Sequence, residues 1–254
     1  MSLDLKLSQI KEAYQKGNLE NPQGYSPANH SFFREDVILQ MFEYMMIFRK
    51  AFQISGWKAN DMPKRQILEI GCGWGLRLTQ LLGFNLLPNN LHGIDLLEPY
   101  VHEARKNNPG IQFHVMSATD IKFEDKSFDL SFACVALSSM LDDEVIDASL
   151  SEMCRVSRSF VLLIDNFDPS YEDHRNGYLC FKGVSKEHIE KLKYRPDVLS
   201  VDKIASFWSA SNFAWRIKHI LDRLQLDKIS YAIVIRLLAP HSHQAYLIEL
   251  QKKI

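Results

Sequence analysis

Alternating glycines after an acidic residue have a spacing that could bind a nucleotide-like ligand. Glu69, Gly71, Gly73 and Gly75 occupy every second position from an apolar segment that begins at Ile67. Glycine lets the backbone turn tightly and approach a ligand without an intervening Cβ. The first amides of a helix after such a turn are available as hydrogen-bond donors. The spacing predicts a nucleotide-type cofactor at a strand-to-helix turn.

A second acidic residue, Asp95, ends the next short apolar segment and lies 20 positions after Gly75. A carboxylate at the end of the following strand suits acceptance from ribose hydroxyls. A dinucleotide fingerprint requires its third glycine where Leu76 stands in this chain. The pattern therefore favours a nucleoside cofactor other than NAD and disfavours a dehydrogenase.

These residues, with the turn and strand of Phe123 to Leu130, are similar in order and spacing to the first motifs of class I S-adenosylmethionine-dependent methyltransferases. The resemblance implies S-adenosylmethionine as the cofactor and S-adenosylhomocysteine as the product. It also implies that Gly71 and Gly73 give the methionine part close access to the backbone. Glu69 would hold the turn or reach the methionine ammonium group through water.

Roles further along the chain follow from the same resemblance. Asp95 would hold the ribose diol, and Leu96 would lie against the adenine ring. Ser117 stands where many members have an aspartate that accepts from the adenine amino group, and Asp120 is the alternative acceptor. The complete predicted cofactor-binding set is Glu69, Gly71, Cys72, Gly73, Asp95, Leu96, Ser117, Ala118 and Cys134.

Catalytic residues are harder to predict, because methyl transfer needs a base only where the acceptor must lose a proton. Asp165 and His243 are the leading candidates, since one follows and the other precedes a predicted strand at the expected reactive edge. Asp168, His174 and His241 are further candidates in the same loops. The sequence leaves open whether a base is used.

Two methyltransferase subclasses are disfavoured by the residues present. Amino-methylating enzymes often carry an Asn/Asp-Pro-Pro-aromatic tetrad after the fourth strand, where this chain has Cys134 to Leu137. A metal-dependent catechol-type enzyme would pair an acid after the fourth strand with an Asp-Asn dipeptide after the fifth. Asp165 and Asn166 match the second half of that site, but the first half is absent. We therefore expect no metal.

The predicted fold is α/β, a Rossmann-like, doubly wound, seven-stranded sheet whose last strand is antiparallel. Strands alternate with helices along the core, which is typical of a doubly wound sheet. Four regions are expected. Residues 1–60 form an N-terminal helical extension or flap, 61–206 the cofactor-binding core, 207–242 a helical insertion that covers the acceptor, and 243–254 the final core strand.

Three short segments, Gly93 to Leu97, Leu137 to Leu141 and Arg195 to Asp197, resemble bacterial members found among surface-glycan biosynthesis enzymes. That resemblance implies methyl transfer to a sugar hydroxyl. A small-metabolite or natural-product methyltransferase is the nearest alternative. A protein that binds S-adenosylmethionine without turnover is an alternative from a different class.

Composition and charge restrict the binding partners and the cellular location that we expect. The formal net charge is −1 at pH 7, which gives no overall electrostatic reason to bind nucleic acid. No apolar run approaches membrane-spanning length, and the leucines near the N-terminus are interrupted by Asp4, Lys6 and Ser8. We expect a cytoplasmic protein with a small-molecule or glycan acceptor and no nucleic-acid partner. The sequence does not determine the oligomeric state.

Overall fold

One mixed sheet of seven strands forms the centre of the molecule, within the residues 2–20, 35–207 and 243–251 that the computed structural model describes. The strands are β1 (Ile67–Ile70), β2 (Leu91–Asp95), β3 (Gln112–Val115), β4 (Phe128–Cys134), β5 (Ser157–Asn166), β6 (Glu172–Arg175), β7 (Tyr178–Lys182), β8 (Val198–Phe207) and β9 (His243–Leu250). Their order in the large sheet is β3-β2-β1-β4-β5-β9-β8. Strands β1 to β5 are mutually parallel, and β9 is antiparallel to both of its neighbours.

Helices cover both faces of this sheet. They are α1 (Leu3–Tyr14), α2 (Glu35–Ile54), α3 (Leu76–Leu81), α4 (Glu98–Asn107), α5 (Asp143–Val156) and α6 (Lys186–Lys193). Apolar side chains of α2, α3 and α4 share one core cluster with the sheet, and those of α1, α5 and α6 pack into the other. Strand β1 is buried along its whole length and β5 along most of its length, because both of their faces are covered.

The predicted fold class is confirmed, including the seven-stranded sheet and the antiparallel last strand. The five parallel strands end in Ile70, Asp95, Val115, Cys134 and Asn166 at the same edge of the sheet. Ligands of open α/β sheets bind at the carboxyl ends of the strands. This edge is therefore the expected location of a ligand-binding site.

The expected cover at 207–242 lies outside the described residues, apart from the backbone of Phe207 at the end of β8. His241 also falls there. Strand β9 begins at His243, where the sequence pattern predicted it. The division of the chain into four regions stays a prediction.

The hairpin β6–β7 is an element that the sequence reading missed. It forms a separate two-stranded sheet between β5 and α6. Its turn consists of Asn176 and Gly177, with φ angles of 54° and 81°. An Asn-Gly pair with two positive φ angles is the preferred two-residue turn of a β-hairpin.

Helix α1 is joined to the rest of the molecule at both of its ends. Near its start, the Lys6 ammonium group lies 3.0 Å from Asp142 and 2.6 Å from Glu144 at the beginning of α5. Beyond its end, Gly17 packs directly against Cys180 of β7, where a Cβ would collide with the Sγ atom. The helix is thereby held across the same edge of the sheet where the parallel strands end.

Candidate functional site

A cavity of about 1040 Å³ opens at the carboxyl edge of the parallel strands. Its floor is the loop after β1, the end of β2, the segment after β3 and the exit of β4. Helices α1 and α2 and the β6–β7 hairpin form its other walls. Small-molecule sites are commonly clefts of about 300–1,000 Å³. This cavity therefore has room for a cofactor and a small acceptor together.

All nine residues of the predicted cofactor-binding set line this cavity. They come from four different loops and strand ends, so the fold brings together positions that are separated in sequence. Their individual contacts with a cofactor remain predictions.

The loop after β1 requires glycine at three positions. Gly71, Gly73 and Gly75 have φ angles of 69°, 51° and 78°, which side-chain-bearing residues seldom adopt. Space is limiting as well, because a Cβ on Gly71 would lie 2.6 Å from the Cβ of Ala136. The backbone at this loop therefore borders the cavity directly.

Asp95 fixes the shape of this loop from the end of the neighbouring strand. Its Oδ2 accepts from the Gly73 amide at 2.9 Å, and its Oδ1 accepts from the Leu97 amide at 2.9 Å. Burial raises the pKa of this carboxyl group, while the two amides oppose the shift. The acid is thus a backbone acceptor that also lines the cavity.

Glu69 is the most deeply buried acid of the predicted set, with 2% of its surface exposed. Burial raises the pKa of this carboxyl group well above its ordinary value, and the nearby Arg77 guanidinium acts in the opposite direction. Its Oε2 atom has no hydrogen-bond partner among the described residues. A buried acceptor without a partner costs stability, which makes a ligand donor such as an ammonium group favourable there.

Arg77 is a site residue that the sequence reading did not select. Its guanidinium lies 4.1 Å from the centre of the Tyr44 ring, and both residues line the cavity beside Glu69. A cation over an aromatic face is attracted by the ring electrons. Arg77 is the second residue of α3 and Tyr44 belongs to α2, so no local sequence motif links the two residues.

Ser117, Ala118 and Thr119 line the part of the cavity beyond β3. The Ser117 hydroxyl lies 2.8 Å from the Thr119 hydroxyl and accepts from the Thr119 amide at 3.2 Å. Asp120, the alternative acceptor for an adenine amino group, is exposed and forms an ion pair with Lys122. Its side chain is absent from the cavity lining, which favours Ser117 for that role.

Of the two cysteines in the predicted set, Cys72 lies within the glycine loop and Cys134 ends β4. Burial raises the pKa of the Cys134 thiol to about 12 and that of Cys72 well above its ordinary value. Both thiols are therefore protonated near neutral pH and behave as small apolar groups. Cys72 also packs against Gly93, where a Cβ would lie 2.8 Å from the Cys72 Cβ.

Asp165 lies next to the cavity but does not line it. Its side chain is fully buried, and its Oδ2 accepts from the amides of Leu137 and Ser138 at 2.9 and 3.2 Å. Its Oδ1 accepts from the Asn166 amide at 2.8 Å. Burial raises the pKa of this carboxyl group to about 6. These contacts shape the loop after β4, and a direct role in catalysis stays a prediction.

His243 also lies outside the cavity lining. It starts β9 opposite Asn166 of β5, and 7% of its surface is exposed. Burial lowers the pKa of its imidazole to about 4. A group with so low a pKa accepts a proton weakly at neutral pH. Among the base candidates in the described segments, His174 of the β6–β7 hairpin does line the cavity.

Two features of the described residues bear on membranes and metals as partners. None of the helices there is long and apolar enough to cross a membrane. In the same residues, no group of three or more His, Cys, Asp or Glu side chains is arranged to hold a metal ion. The expectation of metal independence stays a prediction.

Residues 67–159 match the methyltransferase domain family. This segment runs from β1 into β5 and contains the glycine loop, Asp95, Ser117 and Cys134. It covers the floor of the cavity but neither α1, α2 nor the β6–β7 hairpin.

The chain is 31% identical over 113 residues to the O-methyltransferase cnsE of Penicillium expansum, a match that spans 42% of this chain and 40% of that relative. It superposes on magnesium protoporphyrin IX methyltransferase from Synechocystis with a TM-score of 0.52 and 13% identity, over 98% of this chain and 94% of that one. The YcgJ protein of Bacillus subtilis gives a TM-score of 0.50 at 15% identity, over 75% and 93% of the two chains. The structural likenesses show the fold of this chain.

Proposed function

We propose that this protein binds S-adenosylmethionine in the cavity and transfers its methyl group to a small acceptor. The observation that carries the proposal is the buried Glu69 Oε2, which has no partner among the described residues and lines the cavity beside the glycine loop. An ammonium group such as that of methionine would supply the missing donor. The buried Glu69 carboxyl group and the Arg77 guanidinium beside it therefore suit the two charged groups of an amino acid moiety.

The residues in the cavity have distinct tasks in this proposal. Glu69 would bind the ammonium group of the methionine moiety. Arg77 beside it would balance the charge of the methionine carboxylate. Asp95 would accept from the ribose diol while it keeps its bonds to the loop amides. Leu96 and Ser117 would contact the adenine ring.

The bound cofactor would supply an electrophilic methyl group on a sulfonium sulfur. The residues around it would align the acceptor and exclude water, which accounts for much of the rate of such a displacement. An acceptor hydroxyl must also lose its proton. His174 lines the cavity and is the candidate for that step with the most suitable location.

Two classes of acceptor have support. A sugar hydroxyl follows from the glycan-type segments, of which the one at Leu137 to Leu141 contributes Ser139 and Met140 to the cavity. Arg195 and Asp197 pair with each other outside the lining, so that segment supports the fold rather than an acceptor.

A small-metabolite acceptor is favoured by the apolar side chains on the acceptor side of the cavity, to which Leu7, Ile10 and Met140 belong. The partial match to a fungal O-methyltransferase agrees with this alternative. A non-catalytic cofactor-binding protein would show the same cavity without turnover. Bacterial origin and cytoplasmic location remain predictions from the sequence.

Calorimetry with S-adenosylmethionine, S-adenosylhomocysteine and NAD tests the cofactor assignment directly. We expect the first two to bind and NAD not to bind. A screen of hydroxyl acceptors, read out by formation of S-adenosylhomocysteine, tests transfer. Failure of both adenosyl compounds to bind would refute the proposal, whereas binding without turnover across the screen would favour the non-catalytic alternative.

A further inference from the structure

One face of α1 forms a wall of the cavity outside the family match. Leu7, Ile10, Lys11 and Tyr14 line the cavity at the spacing i, i+3, i+4 and i+7, which places them on one side of the helix. The ion pairs of Lys6 hold this helix in place across the cavity. The wall is therefore a defined surface that an acceptor would meet.

Most of this surface is apolar or aromatic. Leu7 and Ile10 pack against the core cluster that includes Met140 and Val145, which also line the cavity. At the other end of the wall, the Tyr14 ring meets the Phe181 ring edge to face, with centroids 5.7 Å apart. An apolar or aromatic body suits such a surface better than a fully hydroxylated sugar.

Charges on the cavity wall are mostly balanced in pairs. Arg175 lies 2.9 Å from Asp173, and its guanidinium also stacks over the Phe181 ring at 4.9 Å. Arg77 stands beside the acid Glu69 at the cofactor end. Each of these cations therefore already faces an acid of the cavity.

Lys11 is the exception among the described residues of the lining. Its ammonium group forms no ion pair or hydrogen bond there, although it stands between the apolar and aromatic ends of the wall. A cation beside an apolar surface favours a ligand that carries an anionic group next to an apolar body.

We propose that the acceptor is a small apolar or aromatic acid whose anionic group is bound by Lys11. This inference rests on the proposed function and narrows its acceptor class. Lys11 would act on acceptor choice rather than on the cofactor, because Arg77 already supplies a cation beside Glu69 at the methionine end.

Matched probes can test this without knowledge of the natural acceptor. The full chain, saturated with S-adenosylhomocysteine, is titrated with para-hydroxybenzoate and with the uncharged para-hydroxybenzamide, and then with indoleacetate and indoleacetamide. In at least one pair, we expect the acid to bind about five- to tenfold more tightly than its amide, since Lys11 is solvent-exposed and its attraction is screened. Added salt should reduce that preference.

Two variants test whether the Lys11 side chain acts on the acceptor or on the cofactor. Lys11→Gln should abolish the preference for the acid and leave the affinity for S-adenosylhomocysteine unchanged. Lys16→Gln is the matched control, because Lys16 is exposed just beyond the same helix and does not line the cavity. It should keep the preference.

Each other outcome would overturn the inference. Equal binding of acid and amide in both pairs, no binding of either acid, or an intact preference in Lys11→Gln would exclude an anion site at Lys11. Weaker binding of S-adenosylhomocysteine to Lys11→Gln would instead assign Lys11 to the methionine carboxylate. Failure of S-adenosylhomocysteine to bind the unmodified protein would refute the proposed function itself, and with it this inference.

Discussion

The Gly73 amide donates to the Asp95 Oδ2 atom at 2.9 Å, so the acid at the end of β2 fixes the loop that follows β1. Gly71 and Cys72 strengthen the same junction, because both of their amides donate to the Ile94 carbonyl at 2.9 and 3.0 Å. The two anchors of the sequence motif are therefore parts of one hydrogen-bonded unit. Changes at Asp95 should act on the loop as well as on a ligand.

Replacement of Asp95 by alanine should weaken the binding of S-adenosylhomocysteine by about 1.5–3 kcal/mol, the range for a lost hydrogen bond to a charged group. The loop amides would lose their acceptor at the same time, so the unliganded protein should also melt at a lower temperature. Calorimetry and thermal unfolding measure the two effects separately. Asp120→Ala is the control, since Asp120 is exposed and pairs with Lys122. Unchanged affinity in Asp95→Ala would remove Asp95 from the cofactor site.

Gly71 and Gly56 have nearly the same backbone conformation but differ in the room that they leave for a side chain. Their φ angles are 69° and 71°, but a Cβ would lie 2.6 Å from Ala136 at Gly71 and meet no atom within 4 Å at Gly56. Gly56→Ala should cost about 1–2 kcal/mol of unfolding free energy from the left-handed conformation alone. Gly71→Ala should cost more and should also reduce affinity for the cofactor.

Urea unfolding and calorimetry provide both readouts. Equal destabilisation of the two variants, with cofactor affinity intact in each, would show that the loop tolerates a side chain at Gly71.

The floor of the site was predictable because its residues follow consecutive strands. Gly71 follows β1 directly, Asp95 ends β2 and Ser117 lies two residues after β3, and parallel strands bring such positions to one edge. Strand periodicity and turn residues were sufficient to predict this arrangement, whereas the antiparallel last strand was implied by the family resemblance.

The other walls were not predictable in the same way. Arg77 meets Tyr44 through the packing of α3 beside α2, a tertiary contact without a local pattern. The β6–β7 hairpin did have a local signal, since Asn176-Gly177 is a preferred turn pair. The pair alone did not predict a hairpin, because β6 consists only of polar residues and has no apolar alternation.

Chelation should leave both cofactor affinity and turnover unchanged. Asp165, half of the Asp-Asn pair that could suggest a metal, already accepts from the amides of Leu137, Ser138 and Asn166. Activity with an identified acceptor is measured in chelator, with and without added magnesium. Loss of activity that magnesium restores would contradict the prediction, and Asp165→Asn and Asn166→Ala would then test those residues as ligands.

Protonation of His243 should destabilise the protein in mild acid. Its pKa is lowered from an ordinary 6.5 to about 4 by burial, so the folded state favours the neutral form. The stability that this contributes is present above about pH 6.5 and is lost as the pH falls toward about 4, by about 3 kcal/mol in total.

Urea unfolding at several pH values checks this sign, with His243→Gln compared against the unmodified protein. The variant should lose less stability between about pH 7 and pH 4. The comparison with the variant is needed because His92 has a similarly lowered pKa of about 4 and Asp165 a raised pKa of about 6. His102→Gln, at an exposed position on α4, serves as the control. Parallel pH profiles of His243→Gln and the unmodified protein would contradict the prediction.

Variants of the candidate bases can identify the base once an acceptor is known. His174 lines the cavity, whereas His243 and Asp165 are buried beside it. If the acceptor must lose a proton, we expect His174→Gln to lower kcat by about 10²-fold while the affinity for S-adenosylhomocysteine is unchanged. His243→Gln and Asp165→Asn, assayed where both are folded, should retain most of their turnover. The opposite result, full activity in His174→Gln and a large loss in folded His243→Gln, would favour His243 as the base and would require this buried imidazole to reach the acceptor during turnover.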